Sequence, residues 1–225
     1  MEDLNKLEAT LSQPSEDLIE DLKDLEGDIL VLGVGGKMGP SLAVLAKEAL
    51  KAAEKSNRVI GVSRFTNHDL QMELAKQGIQ TVKADLLNEN DLAALPTAKN
   101  VIYMAGTKFG TLGNESYTWA MNAYLPGRVA EKFKDSNIVV FSTGNVYPFM
   151  PVDSGGATES VPPEPLGEYA QSCLGRERVF EHFAKTYQTP MLIFRLNYAI
   201  DFRYGVLIEI AKSVMNEAPI DLSTG

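Results

Sequence analysis

Short runs of Val, Ile and Leu alternate with longer stretches whose apolar residues recur every three or four positions, and this alternation repeats along most of the chain. Ile29–Leu32, Arg58–Ser63, Ile79–Lys83, Asn100–Ala105, Asn137–Ser142 and Met191–Leu196 have the length and composition of strands. Ser41–Lys55, Leu70–Gln77, Asn90–Leu95, Glu115–Lys134, Glu168–Thr186 and Val206–Asn216 have helical periodicity. Gly78 and Pro96 stand where helices stop. Pro126 should kink or restart the long helix that contains it. The stretch Phe149–Leu166, rich in proline and glycine, reads as a loop.

Strands of nearly continuous apolar character are buried on both faces, so the alternation implies a parallel sheet covered by helices on each side. Right-handed crossovers turn that pattern into an α/β, doubly wound parallel sheet, the Rossmann fold. Ligands of such sheets sit at the carboxyl ends of the strands, where Gly33, Ser63, Asp85, Ala105, Thr143 and Asn197 fall. Three regions follow. Residues 1–26 form a polar, acidic helical extension, with Ser15 as a helix cap and Leu18, Leu22 and Leu25 as its apolar face. Residues 27–200 form the α/β domain. Residues 201–225 begin a small substrate-binding lobe, reduced or truncated, in which Pro219-Ile220-Asp221-Leu222 looks like an approaching strand.

Charge and composition narrow the partners. The 225 residues carry a formal net charge of −9, which argues against nucleic acid, since duplex binding needs a basic face. The sequence lacks an apolar run near the roughly 18 residues of a membrane span and a signal-peptide pattern at its acidic start, so a cytoplasmic protein with no membrane partner is the expectation. One cysteine, Cys173, excludes an intrachain disulfide. His68 and His182 lack ligand-spaced partners, so no metal is expected.

The stretch Asp28-Ile29-Leu30-Val31-Leu32-Gly33-Val34-Gly35-Gly36-Lys37-Met38-Gly39 joins the first strand to the first long helix. Glycines at such a junction let the backbone turn tightly, approach a pyrophosphate and pack helix against strand, while amides at the helix start face the anion. Gly33, Gly36, Lys37, Met38 and Gly39 are therefore the candidate contacts to a dinucleotide. Where NAD-binding proteins place a carboxylate after the second strand, this chain has Gly61-Val62-Ser63-Arg64-Phe65. Arg64 can pair with a 2′-phosphate and Ser63 can donate to it, which favours NADP, with NAD as runner-up, unless Arg64 is a solvated surface residue.

The spacing Gly33-x-x-Gly36-x-x-Gly39 resembles the extended short-chain dehydrogenases/reductases, the NAD(P)-dependent epimerase/dehydratase-like branch. The resemblance grows downstream through Val139-Val140-Phe141-Ser142-Thr143-Gly144-Asn145-Val146-Tyr147, Asn122, Tyr169 and Arg195-Leu196-Asn197-Tyr198, and it runs from about residue 28 to 200. It implies that Thr143 and Tyr169 are catalytic, with Tyr169 also at the cofactor, and that Asn122 is structural. It implies that Ala105 and Gly106 let the cofactor backbone lie close. It also implies that Asp85 bonds the adenine amino group beside the Leu86 amide; a turn aspartate is the alternative. Lys108 reaches a phosphate or lies solvated. The implied substrate is a small molecule, such as a nucleotide sugar or a small carbonyl or alcohol, and the implied assembly a homodimer through the helices at 115–134 and 168–186.

One position departs from the pattern. The family's tyrosine is followed four residues on by a lysine, and here that residue is Cys173. A free tyrosine has a pKa of about 10, so at pH 7 roughly one part in a thousand is phenolate, a penalty of about 4 kcal/mol that a nearby cation reduces. Cys173 cannot supply the charge, and Arg176, two turns beyond Tyr169, is by distance a poor substitute. Two readings stand side by side: an oxidoreductase or epimerase with an atypical site, or a catalytically weak NADP(H)-binding sensor or partner-binding subunit.

Overall fold

A computed structural model describes residues 2–108, 112–199 and 203–220. Six parallel strands form one sheet in the order β3-β2-β1-β4-β5-β6. They are β1 (Ile29–Leu32), β2 (Val59–Ser63), β3 (Gln80–Lys83), β4 (Asn100–Tyr103), β5 (Asn137–Thr143) and β6 (Met191–Leu196). β1 lies at the centre, its four residues all buried, as a strand covered on both faces must be. The order reverses between β1 and β4, and the carboxyl ends there open a crevice.

Helices cover both faces. α1 (Glu2–Leu11) and α2 (Glu16–Lys23) precede the sheet, then come α3 (Gly39–Ala52), α4 (His68–Lys76) and α5 (Glu89–Ala94). On one face, Ala43, Leu50 and Leu74 pack on Val31 and Val59, with Leu22 and Leu25 of the extension against them. On the other, Leu125, Val129 and Phe180 pack on Leu30, Val101 and Val140. The Phe180 ring meets Tyr103 edge-on at 5.0 Å, a favoured aromatic geometry.

The long helix expected over 115–134 is three pieces: α6 (Glu115–Trp119), a π-helical turn at Ala120–Tyr124, and α7 (Leu125–Lys132). The chemistry of proline explains the break. Pro126 has no amide hydrogen to give the Asn122 carbonyl, and the Leu125 amide reaches back five residues to Ala120 instead. The register shift drives Asn122 into the interior, where it is fully buried. α8 (Gly167–Tyr187) is unbroken, and α9 (Val206–Met215) follows β6.

The extension holds one helix more than the sequence pattern suggests. Ser15 caps α2 as expected, accepting from the Leu18 amide at 3.2 Å, but α1 precedes it. Asn57 and Asn100 donate to carbonyls of the link, at Leu25 (3.4 Å) and Glu26 (2.8 Å). The strand expected at Pro219–Leu222 lies in part outside the described residues.

Candidate active site

The turn after β1 is shaped by its glycines. Gly33 has φ +93°, a left-handed conformation that an L side chain rarely adopts. A Cβ there would stand 2.7 Å from the Ala105 amide nitrogen. Gly39 opens α3 against the backbone of Val34, with no room for a side chain. Gly36 differs: the nearest atom to an added Cβ is the Gly33 carbonyl at 3.5 Å, so its surface is open. Met38 stands at the N-cap without a side-chain bond to the helix. The first-turn amides, Gly39 and Ser41 since Pro40 has none, are therefore left without a side-chain cap at the positive end of the helix dipole.

A cavity of about 830 Å³ extends from this turn. Its walls include Gly33, Gly36, Lys37, Met38 and Gly39 at one end and Ser142, Thr143, Tyr169 and Arg176 at the other. Met104, Lys108, Asn197 and Tyr198 lie between, and Tyr204 and Val206 border the side toward α9. The Lys37 ammonium sits 5.0 Å over the Tyr204 ring. Anion-holding amides at one end and hydroxyls at the other fit a dinucleotide whose phosphates and reactive ring lie apart.

Seven of the thirteen residues expected as catalytic or cofactor contacts thus share one cavity: Gly33, Gly36, Lys37, Met38, Gly39, Thr143 and Tyr169. Four more adjoin it. Ser63 lies beside the turn, its Oγ where a Cβ on Gly35 would go. Ala105 backs onto Gly33. Arg64 is exposed at the end of β2, its Nη1 3.5 Å from the Tyr117 hydroxyl. Gly106 is exposed and also leaves room for protein side chains: an added Cβ would strike the Arg176 Nη2 and come within 3.0 Å of the Asn122 Oδ1. Its smallness serves the packing of these two side chains. Lys108 borders the cavity and is exposed there. Asp85 and Leu86 stand apart from those walls. The Asp85 carboxylate accepts the Leu87 amide at 3.0 Å, as a turn aspartate does, and Leu86 is buried.

At the far end, Thr143 closes β5 and its Oγ1 accepts the Asn145 amide at 3.2 Å. Thr143 donates in turn to the Asn145 Oδ1 at 3.0 Å, and Tyr169 lines the same cavity wall. Burial pushes the Tyr169 phenol well above its ordinary pKa and Cys173 adds to that rise, while Arg176 and Thr143 oppose it. Burial likewise raises the Cys173 thiol, again against Arg176. Both groups are held in their neutral forms.

Three residues of this end carry more than their spacing suggested. Asn122, delivered by the π-helical turn, accepts the Thr107 amide and donates to its carbonyl, both at 2.9 Å, and donates to the Ser172 Oγ at 3.0 Å. Arg176 is not remote: it lines the cavity and acts on both Tyr169 and Cys173. Glu177 is fully buried and accepts from the Ser142 Oγ and from Arg195, whose Nη2 is 2.8 Å away. Arg195 in turn donates to the Tyr147 hydroxyl at 2.8 Å. The ion pair ties α8, β5 and β6 together beneath the hydroxyls. A charged residue one position after Arg176, on the buried side of an amphipathic helix, was the available signal.

A parallel sheet with this strand order and a glycine turn at its centre defines the Rossmann class. The model of the NAD dependent epimerase/dehydratase family matches residues 29–200, and the chain belongs to that family. Among solved structures, it is similar to a UDP-glucuronic acid 4-epimerase variant from Bacillus cereus, in complex with a 4-deoxy-4-fluoro analogue of UDP-glucuronic acid and NAD. The identity is 20%, the TM-score 0.68, and the match covers 85% of this chain and 64% of that one. MoeE5 in complex with UDP-glucose and NAD matches at 20% identity and TM-score 0.65, over 86% of this chain and 63% of that one. A dTDP-glucose 4,6-dehydratase from Bacillus anthracis in complex with NAD matches at 17% and 0.66, over 85% and 62%. The chain therefore spans about 64% of the length of the first of these structures. No curated protein matches it. Among the described residues, none of the helices is long and apolar enough to cross a membrane.

Proposed function

We propose that this chain binds a nicotinamide dinucleotide, NADP in preference to NAD, and acts as an oxidoreductase or epimerase on a nucleotide sugar or another small carbonyl or alcohol. One observation carries the reading: a single cavity joins the open glycine turn to Thr143 and Tyr169. The family and the nucleotide-sugar enzymes of similar fold support the same class of substrate. The preference for NADP rests on Ser63 and Arg64 standing where a carboxylate would select NAD.

The turn's amides would hold the diphosphate, with Lys37 and Lys108 at the cavity wall as further donors. A nicotinamide bound there supplies a two-electron hydride acceptor or donor. Thr143 positions the substrate oxygen. In oxidation, Tyr169 would first lose its phenol proton to solvent and then, as phenolate, take the substrate hydroxyl proton, while the carbon bearing that hydroxyl becomes a carbonyl and its hydride would go to a bound oxidised nicotinamide. In reduction, the neutral phenol returns that proton to the carbonyl oxygen. Because burial keeps Tyr169 protonated, the reductive half needs the smaller adjustment. Tyr124 and Tyr187, exposed on the helices flanking this end, fit a homodimer through those helices.

A second reading, the weak or inactive NADP(H)-binding sensor or partner-binding subunit, is favoured by Cys173, which is neutral where the family has its lysine. Calorimetric titration with NADPH and NADH, followed by turnover assays on UDP- and dTDP-sugars, separates the possibilities. Binding with turnover that falls by about 10²–10⁴ in Tyr169→Phe supports the enzyme. Binding without turnover supports the sensor. An absence of heat with either nucleotide would overturn both.

A further inference from the structure

We infer that Arg176 is the cation of this site: from two turns along α8 it supplies to Tyr169 the positive charge that Cys173 cannot, and so acts as a positioning residue for proton transfer by the phenol. The inference deepens the proposed function and rests on its reading of Tyr169.

The helix makes the reach possible. Residues 169, 173 and 176 share one face of α8, and seven residues span about 10.5 Å of axis. Side chains in a helix slant toward its N-terminus, so a long side chain at 176 leans back toward 173 and 169. Arg176 is held in that posture from two sides. Its Nη1 donates to the Phe141 carbonyl at 2.9 Å, two residues before Thr143 on β5. Its Nη2 donates to the Asn122 Oδ1 at 2.8 Å, and the Asn122 Nδ2 lies 4.0 Å from the Cys173 sulfur. The guanidinium is thus one amide away from the position the lysine would fill. Gly106 provides the space it occupies.

The charge is also uncommitted. Arg176 is 7% exposed, and both of its hydrogen-bond acceptors are neutral. The adjacent carboxylate, Glu177, is taken by Arg195. Among the described residues no carboxylate pairs with Arg176, and its Nε is buried without a hydrogen-bond partner. A buried charge without a counter-ion costs several kcal/mol, and it repays that cost where negative charge develops beside it. The groups able to develop such charge here are the Tyr169 phenol and the Cys173 thiol, and both feel Arg176. Arg176 also faces the Tyr103 ring at 5.8 Å and acts on that phenol in the same sense, but burial dominates there and Tyr103 is fully buried outside the cavity walls.

The test reads the phenol itself and requires neither cofactor nor turnover. The full chain is prepared with fluorotyrosine, a more acidic isostere, and the ¹⁹F resonance of residue 169 is assigned by its loss in Tyr169→Phe. Its titration is followed in the parent, Arg176→Lys, Arg176→Met and Arg176→Gln. The expected result is a midpoint at least one pH unit higher, a tenfold change, in Arg176→Met and Arg176→Gln, with Arg176→Lys close to the parent. Arg176→Gln keeps a donor and much of the volume, so it reports on charge if Arg176→Met folds poorly. A second preparation, Cys173→Lys with Arg176→Gln, returns the cation to the family's position and should restore the parent midpoint. Equal midpoints in the parent and a folded Arg176→Gln would overturn the inference. Failure to bind NADPH or NADH would overturn the proposed function and leave this result standing.

Discussion

The two ends of the cavity are built on different principles. At the glycine turn the backbone would do the binding. The positive field comes from amides at the start of α3, and side chains matter mainly by being absent, as at Gly33, Gly36 and Gly39. At the tyrosine end the side chains do everything. Thr143, Tyr169, Asn122, Arg176 and Glu177 arrive from β5, α8 and the π-helical turn; Asn122 and Arg176 hold each other, Glu177 takes Ser142 and Arg195, and Thr143 takes Asn145. The first end is tolerant of chemistry and intolerant of volume. The second is the reverse: it accommodates a cysteine for a lysine, provided that a cation enters from elsewhere.

The largest effect expected from this contrast lies under the tyrosine end. Glu177 is completely buried and its partner Arg195 has only 19% of its side chain exposed. Glu177→Ala leaves that guanidinium and the Ser142 hydroxyl without their acceptor. Removing one member of a buried pair costs about 3–5 kcal/mol. Urea unfolding followed by circular dichroism should show a loss of that size. A loss under about 1 kcal/mol would mean that the ion pair does not organise this end.

A pair of alanines at the glycine end separates volume from fold. Gly33→Ala forces a side chain into a left-handed φ and against the backbone of Ala105, and should cost about 1–3 kcal/mol. Gly36→Ala meets ordinary contact distances and should leave unfolding within about 0.5 kcal/mol of the parent. Its methyl still projects into the surface where the diphosphate would rest, so binding of NADPH should weaken at least tenfold by calorimetry. If a folded Gly36→Ala instead binds NADPH as tightly as the parent, the turn is a structural feature only.

The same contrast explains what the sequence made legible. Strand order, helix order and the glycine turn depend on short-range patterns of volume and hydrophobicity, and a linear reading sees those. β6 falls at the residues expected, and α3 begins two residues earlier than expected because Gly39 and Pro40 already belong to it. Thr143 and Tyr169, 26 positions apart in sequence, were found by resemblance and share the cavity. What escaped depends on register and reach. Asn122 becomes a hub through a π-helical turn set by a proline four residues away, and Arg176 acts through a side chain whose direction spacing alone does not give. Gly106 pointed to Arg176 all along, but only the third dimension shows which atoms fill the space a Cβ would take.

The smallest effect tests whether the glycine end also uses one side chain. Arg64 is exposed beside the turn, within 3.5 Å of the Tyr117 hydroxyl and close in sequence to Ser63. An exposed guanidinium on a phosphate is partly screened by water and salt, so its contribution is discounted from the 1.5–3 kcal/mol of a charged hydrogen bond to about 1.4 kcal/mol. Arg64→Ala should therefore weaken NADPH about tenfold and leave NADH unchanged, because only the former carries the 2′-phosphate. Raising salt should reduce the NADPH advantage of the parent and have little effect in the variant, as a screened surface contact requires. Equal loss for both nucleotides would place Arg64 on a shared part of the cofactor, and the glycine end would then discriminate by backbone alone.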